Sequence, residues 1–223
     1  MADENLHGVD RREFMSRAGQ ATVAAGVAIA GTAAFMDVKG PRSRNGAGVN
    51  LQDFSVPAQE GRTISIVRSP DRSKSVAKAI ELLGGIDRFV KAGDKVVIKP
   101  NVGFASPAML GATTNPEIVR EVASFCFKAG ASKVSVMDNP INDPASCFAL
   151  RGIEKAARVA GARIVMPTAD NFSDTTLKDG QLIKNWPLFY EPLKDADKLI
   201  GIAPVKNHHR SGATMGMKNW YGL

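Results

Sequence analysis

From residue 62 onward the chain repeats one pattern: a short apolar run, a longer stretch with apolar residues at helical spacing, then glycine. Ile64-Ser65-Ile66-Val67 reads as a first strand, and Val76, Ala77, Ile80 and Leu83 form a helix stripe stopped by Gly84-Gly85. Lys95-Val96-Val97-Ile98 is a second strand. Asn115 then caps a helix that opens with Pro116, buries Ile118, Val119, Val122, Phe125, Cys126 and Ala129, and ends at Gly130. A strand over Lys133–Met137, a helix over Ala145–Ala160 and a strand over Arg163–Met166 continue the alternation. Asp179-Gly180, between Leu177 and Ile183, predicts a β-hairpin, and Lys198–Ala203 is a further buried strand. The fold class is α/β: a mostly parallel, Rossmann-like open sheet with helices on both faces and a β-hairpin insertion.

Right-handed crossovers bring the carboxyl ends of all such strands to one edge, where open α/β sheets bind ligands. The polar residues that fall there are Lys99 and Asn101, then Asp138 and Asn139, then Lys206, His208 and His209. Two lysines past separate strands can share one crevice. The helix start at Thr113-Thr114-Asn115 adds N–H donors and the positive end of a dipole, a combination suited to phosphate or carboxylate. Lys206, Arg210 and Lys218 flank a segment with Gly212, Gly216 and Gly222, which permits close backbone approach to a ligand. The expected binding residues are therefore Lys99, Asn101, Thr114, Asn115, Lys206, Lys218 and Asn219. Asp138 and His208 are candidates for proton transfer or for holding a divalent metal. Neighbouring side chains of an extended segment point opposite ways, which favours His208 alone of the histidine pair. Neither a Walker loop nor a Gly-x-Gly-x-x-Gly after the first strand is present.

The formal net charge of +7 is carried by the part after Gly61, yet there is no basic run and only 6% of residues are aromatic, which argues against a nucleic-acid partner. Two cysteines exclude a disulfide scaffold and cannot supply the four thiolates of an ordinary iron–sulfur cluster. Cys126 reads as core and Cys147 as the more accessible thiol; a disulfide between them is left open by their spacing. Arg11-Arg12, Phe14 and the weakly apolar run Ala21–Met36 resemble a twin-arginine (Tat) export signal. The run is too short and too rich in alanine for a stable membrane span. The expected organisation is a signal over 1–36, a linker over 37–61 and an α/β domain over 62–223. The expected location is periplasmic or otherwise extracytoplasmic, with the Tat machinery as partner.

Gly93-Asp94-Lys95-Val96-Val97-Ile98-Lys99-Pro100-Asn101 resembles the opening motif of the domain-of-unknown-function 362 (DUF362) family. So do Thr114-Asn115-Pro116-Glu117, Gly130-Ala131 with Asp138 after its strand, and the closing Lys206-x-His208…Gly212-x-Thr214-x-Gly216-x-Lys218-Asn219-x-x-Gly222. The resemblance covers Ile64 to Leu223. It implies no established chemistry; some members carry twin-arginine signals or ferredoxin-type iron–sulfur modules. Family members usually continue past the closing motif, so the resemblance implies a chain incomplete at its C-terminus. The leading expectation is an exported enzyme or cofactor-binding protein with a cationic crevice for a small anionic ligand. Its rivals are a redox protein whose cluster ligands lie outside this chain and a non-catalytic solute-binding protein.

Overall fold

The computed structural model describes residues 10–35, 49–57, 64–177 and 182–223. The chain divides into two compact units, Met1–Arg42 and Ser43–Leu223. In the first, α1 (Arg11–Phe35) is a 25-residue helix. Alanine favours this helix, and the Glu13–Arg17 pair at 2.6 Å adds an (i, i+4) contact at its exposed start. Arg11, Arg12 and Phe14 are exposed. Among the described residues no helix is long and apolar enough to cross a membrane.

The second unit is built on four parallel strands in the order β3-β2-β1-β6, namely Arg163–Val165, Lys133–Met137, Lys95–Pro100 and Lys198–Ile202. The two central strands are buried beyond their first residue, as a sheet covered on both faces requires. Helix α2 (Arg72–Leu82) precedes β1, and α3 (Pro116–Lys128) crosses from β1 to β2. The Asn115 side chain accepts a 2.9 Å bond from the Glu117 N–H, and Pro116 occupies the first turn of α3. The helix expected over Ala145–Ala160 is instead two, α4 (Pro144–Leu150) and α5 (Ile153–Val159). Gly152 between them has φ +72°, and a left-handed residue ends a right-handed helix.

Alternation along the strands divides the core in two. Val96, Ile98, Val134 and Val136 face Val119, Val122 and Cys126 of α3, Phe148 of α4, and Ile153 and Ala157 of α5. Val97 and Met137 face the other way, toward Leu188, Phe189, Leu193 and Ala196. That second face is covered by the antiparallel pair β4 (Phe172–Thr175) and β5 (Trp186–Phe189), whose Phe172 and Phe189 rings stack at 5.2 Å. At its carboxyl end the short helix α6 (Gly216–Asn219) lies against β6. A second hairpin, β7 (Lys206–His208) and β8 (Gly212–Thr214), follows β6.

Several expectations change. Ile64–Val67 forms no strand, and Ile64 and Ile66 stand 81% and 85% exposed. Alternation marks a chain able to form a strand, but the strand needs a partner's backbone, and this segment makes no ladder bond among the described residues. The Asp179-Gly180 turn lies outside the described residues, although the arms beside it pair antiparallel as β4 and β5. Part of the segment assigned to the linker packs on the domain. Val49 bridges Thr175, Leu51 and Phe54 join the second core, and Gln52 Nε2 donates to the Leu193 carbonyl at 3.2 Å. Cys147 is fully buried rather than accessible, because it shares the inner face of α4 with Phe148. Both cysteines are free thiols, and burial pushes Cys126 up to about 12.

Gly201 interrupts the apolar strand β6 because the Trp220 indole lies over it; a Cβ there would meet the ring at 2.7 Å. Gly201→Val is expected to cost about 1–3 kcal/mol by overpacking, read as a lower thermal midpoint. An unchanged midpoint would show that Trp220 does not anchor the C-terminal segment.

Candidate functional site

The carboxyl ends of β1 and β2 and the β7–β8 hairpin meet one cavity of about 550 Å³. Lys99, Asn101, Asp138, Asn139, Lys206 and His208, expected at this edge, all line it, as do the expected binding residues Lys218 and Asn219. Thr114 and Asn115 do not line it. The Thr114 hydroxyl accepts from the Asn101 N–H at 2.8 Å and donates to the Ile202 carbonyl at 2.7 Å, tying the ends of β1 and β6. The Asn115 side chain is the cap of α3. Both side chains act on the backbone because the turn out of β1 and the helix start need partners there.

Lys99 and Asp138 form the floor. They are 1% and 2% exposed, and the Lys99 ammonium bonds Asp138 Oδ1. The carboxylate also accepts from the Asn139 N–H at 2.9 Å (Oδ1) and the Val102 N–H at 2.6 Å (Oδ2). Burial weighs against both charges, lowering the Lys99 pKa and raising that of Asp138; their attraction and the two N–H donors oppose it. Gly222 closes over the pair. Its carbonyl accepts from the Asn139 N–H at 3.2 Å, and a Cβ would lie 2.7 Å from Asp138 Oδ1 and 3.1 Å from Lys99 Nζ. Only glycine allows that approach.

The wall above is positive. Lys206 donates to Asn101 Oδ1 at 3.3 Å and to the Ala112 carbonyl, and its ammonium lies 5.2 Å from the centre of the Phe104 ring. Burial lowers its pKa, with Lys218 and Arg151 acting in the same sense. The β7–β8 register sets Lys206 opposite Thr214 and His208 opposite Gly212, so Lys206, His208 and Thr214 share the face toward the cavity. His208 Nδ1 accepts from the Arg210 N–H at 3.2 Å and the Ser211 N–H at 3.3 Å. That places its proton on Nε2. Partial burial, then the charge of Lys218 and the neighbouring His209, lower the His208 pKa below the usual imidazole value. It is a neutral donor at neutral pH. His209 does not line the cavity; its ring stacks on His208 at 5.0 Å because it lies in the turn, where strand alternation has ended.

The sequence reading missed three contributors: Phe104, Thr214 and Arg151. The Arg151 guanidinium is 2% exposed and donates to the Phe104 and Pro107 carbonyls at 3.0 Å each, and to Ser106 Oγ. It holds the loop that carries Phe104. An arginine just beyond an apolar helix stretch reads as a solvated charge, so no local signal marks it.

The donor set does not suit a divalent metal. Asp138 already accepts three bonds, one from an ammonium, and among the described residues no three His, Cys, Asp or Glu side chains converge. Nor do two buried thiols in the first core offer an iron–sulfur cluster its ligands.

Because the ion pair is buried, removing one partner strands the other. Lys99→Met or Asp138→Asn is expected to cost about 3–5 kcal/mol in urea unfolding, and Lys99→Met with Asp138→Leu to recover most of it. Single-variant losses below about 1 kcal/mol would show that the pair is not the floor of the fold.

Residues 96–223, more than half of the chain, match the domain of unknown function DUF362. The chain is also 28% identical over 168 residues to the thylakoid-associated protein sll1697 of Synechocystis sp. (strain ATCC 27184 / PCC 6803 / Kazusa). That alignment covers 72% of this chain and 50% of the relative, so the chain spans about half the relative's length. No solved structure matches significantly. On the extent of the match and the ordered motifs around the cavity, the chain belongs to the DUF362 family.

Proposed function

We propose that the Ser43–Leu223 unit binds a small anionic ligand in the cavity at the carboxyl edge of its sheet. One observation carries this reading: four cationic side chains line the cavity against a single carboxylate, and that carboxylate is already engaged by Lys99. Lys99 is spent in the same way. The anion therefore falls to Lys206, Arg210 and Lys218, with His208 Nε2–H as a neutral donor. Among the described residues the Arg210 and Lys218 side chains form no hydrogen bond or ion pair, so they meet a ligand without breaking one. Asp138 acts through Lys99 rather than as an acid or base. Turnover of a bound ligand, with His208 as the proton-transferring group, would make the protein an enzyme; binding without turnover would make it a solute-binding protein.

Calorimetric titration with inorganic phosphate and with a tricarboxylate tests the reading. Arg210→Ala with Lys218→Ala is expected to weaken binding about tenfold or more without changing the thermal midpoint. Affinity should rise as pH falls through the lowered His208 pKa, which adds a charge, and fall as pH rises through the lowered Lys206 pKa, which removes one. Heats that are absent, or indifferent to the double variant, would refute it.

We propose further that residues 1–36 direct the protein out of the cytoplasm by the twin-arginine route. The exposed Arg11-Arg12 pair and Phe14 support this, as does a relative named as thylakoid-associated. A reporter fused behind residues 1–36 should be exported, and Arg11→Lys with Arg12→Lys should leave it inside. Export unaffected by the double variant would overturn the assignment.

A further inference from the structure

Two buried polar atoms of cavity-lining residues have no partner among the described residues: Thr214 Oγ1 and Asn219 Oδ1. Both residues are 2% exposed. Native proteins rarely leave such atoms unpaired, and at a ligand site an orphan is a specification for the ligand. Asn219 is the more informative. Its Nδ2 donates to the Lys99 carbonyl at 2.8 Å, so turning the amide over would set two acceptors against each other. Its Oδ1 must therefore receive a hydrogen from something else. Thr214 stands opposite Lys206 in the β7–β8 pair, and its hydroxyl can both give and receive.

The cations of the wall make the opposite demand. Lys206, Arg210 and Lys218 only donate. A ligand that satisfies the whole cavity must carry an anionic group for them and a hydrogen donor for Asn219, which beside three cations suits an uncharged hydroxyl better than an ammonium. The orphan atoms belong to buried residues of the lining, whereas Arg210 is exposed and Lys218 half-buried. A cavity of about 550 Å³ also exceeds what an inorganic anion fills. The two aromatic side chains that line it each carry an ammonium over the ring, Lys206 at 5.2 Å from Phe104 and Lys218 at 5.9 Å from Tyr221.

We infer that the ligand is a phosphorylated polyhydroxy compound of sugar-phosphate size, with its phosphate on Arg210, Lys218 and Lys206 and its hydroxyls directed to Asn219 Oδ1 and Thr214 Oγ1. This rests on the anion-binding reading above and names the ligand class for that site.

Calorimetry with hexitol 6-phosphate and n-hexyl phosphate separates the two ideas, since the probes share six carbons and one phosphomonoester and differ in hydroxyls. The full chain is expected to bind hexitol 6-phosphate about tenfold or more tightly. Thr214→Val should shrink that gap, and Thr214→Ser, which keeps the hydroxyl, should preserve it. Equal affinity for both probes, each weakened by Arg210→Ala, would overturn the polyhydroxy assignment and leave anion binding standing. No heat with either probe would overturn both.

Discussion

The ion pair between Lys99 and Asp138 is the contact on which the rest of this site depends. It joins the residues at the carboxyl ends of the two central strands, in a place almost closed to water. A buried charge is tolerable only when its partner and its remaining hydrogen bonds are in place. That requirement fixes the loop after β1 through the Val102 N–H and the turn after β2 through the Asn139 N–H. It also explains Gly222, since any side chain there would strike the pair.

The cationic wall is a consequence of this floor. With the carboxylate engaged by Lys99, Asp138 is the one acidic side chain in the cavity lining beside Lys206, Arg210 and Lys218. Partial burial, then the charge of Lys218, lowers the pKa of both Lys206 and His208. The protein holds this unfavourable arrangement in place with a hairpin and with Arg151, whose guanidinium fixes the facing loop. Like charges gathered at one cleft are a common mark of a site completed by a ligand of opposite sign.

Membership of the DUF362 family places these residues in a recognisable order along the chain but attaches no chemistry to them. The chemistry follows from donors and acceptors in the cavity lining: three cations, a carboxylate engaged by Lys99, and two residues with unsatisfied oxygens. The likeness to a thylakoid-associated protein concerns location, and half of that relative's length has no counterpart in the alignment.

Local chemistry was enough to locate most of the strands and helices and to bring Lys99, Asn101, Asp138, Asn139, Lys206 and His208 to one edge. Apolar runs, glycine stops and the Asn115-Pro116 cap are short-range signals, and the chirality of crossovers does the rest. What tertiary structure alone decided was the use of each group. Lys99 looks like a free cation in the sequence, and only the juxtaposition with Asp138, 39 residues away, spends its charge. Thr114 looks like an anion donor, but folding gives its hydroxyl to the ends of β1 and β6. Ile64–Val67 has strand composition and no partner backbone among the described residues, and Arg151 has a surface residue's context and a buried role. Each turns on a contact between segments distant in the chain, and periodicity reports only which face a residue shares with its near neighbours.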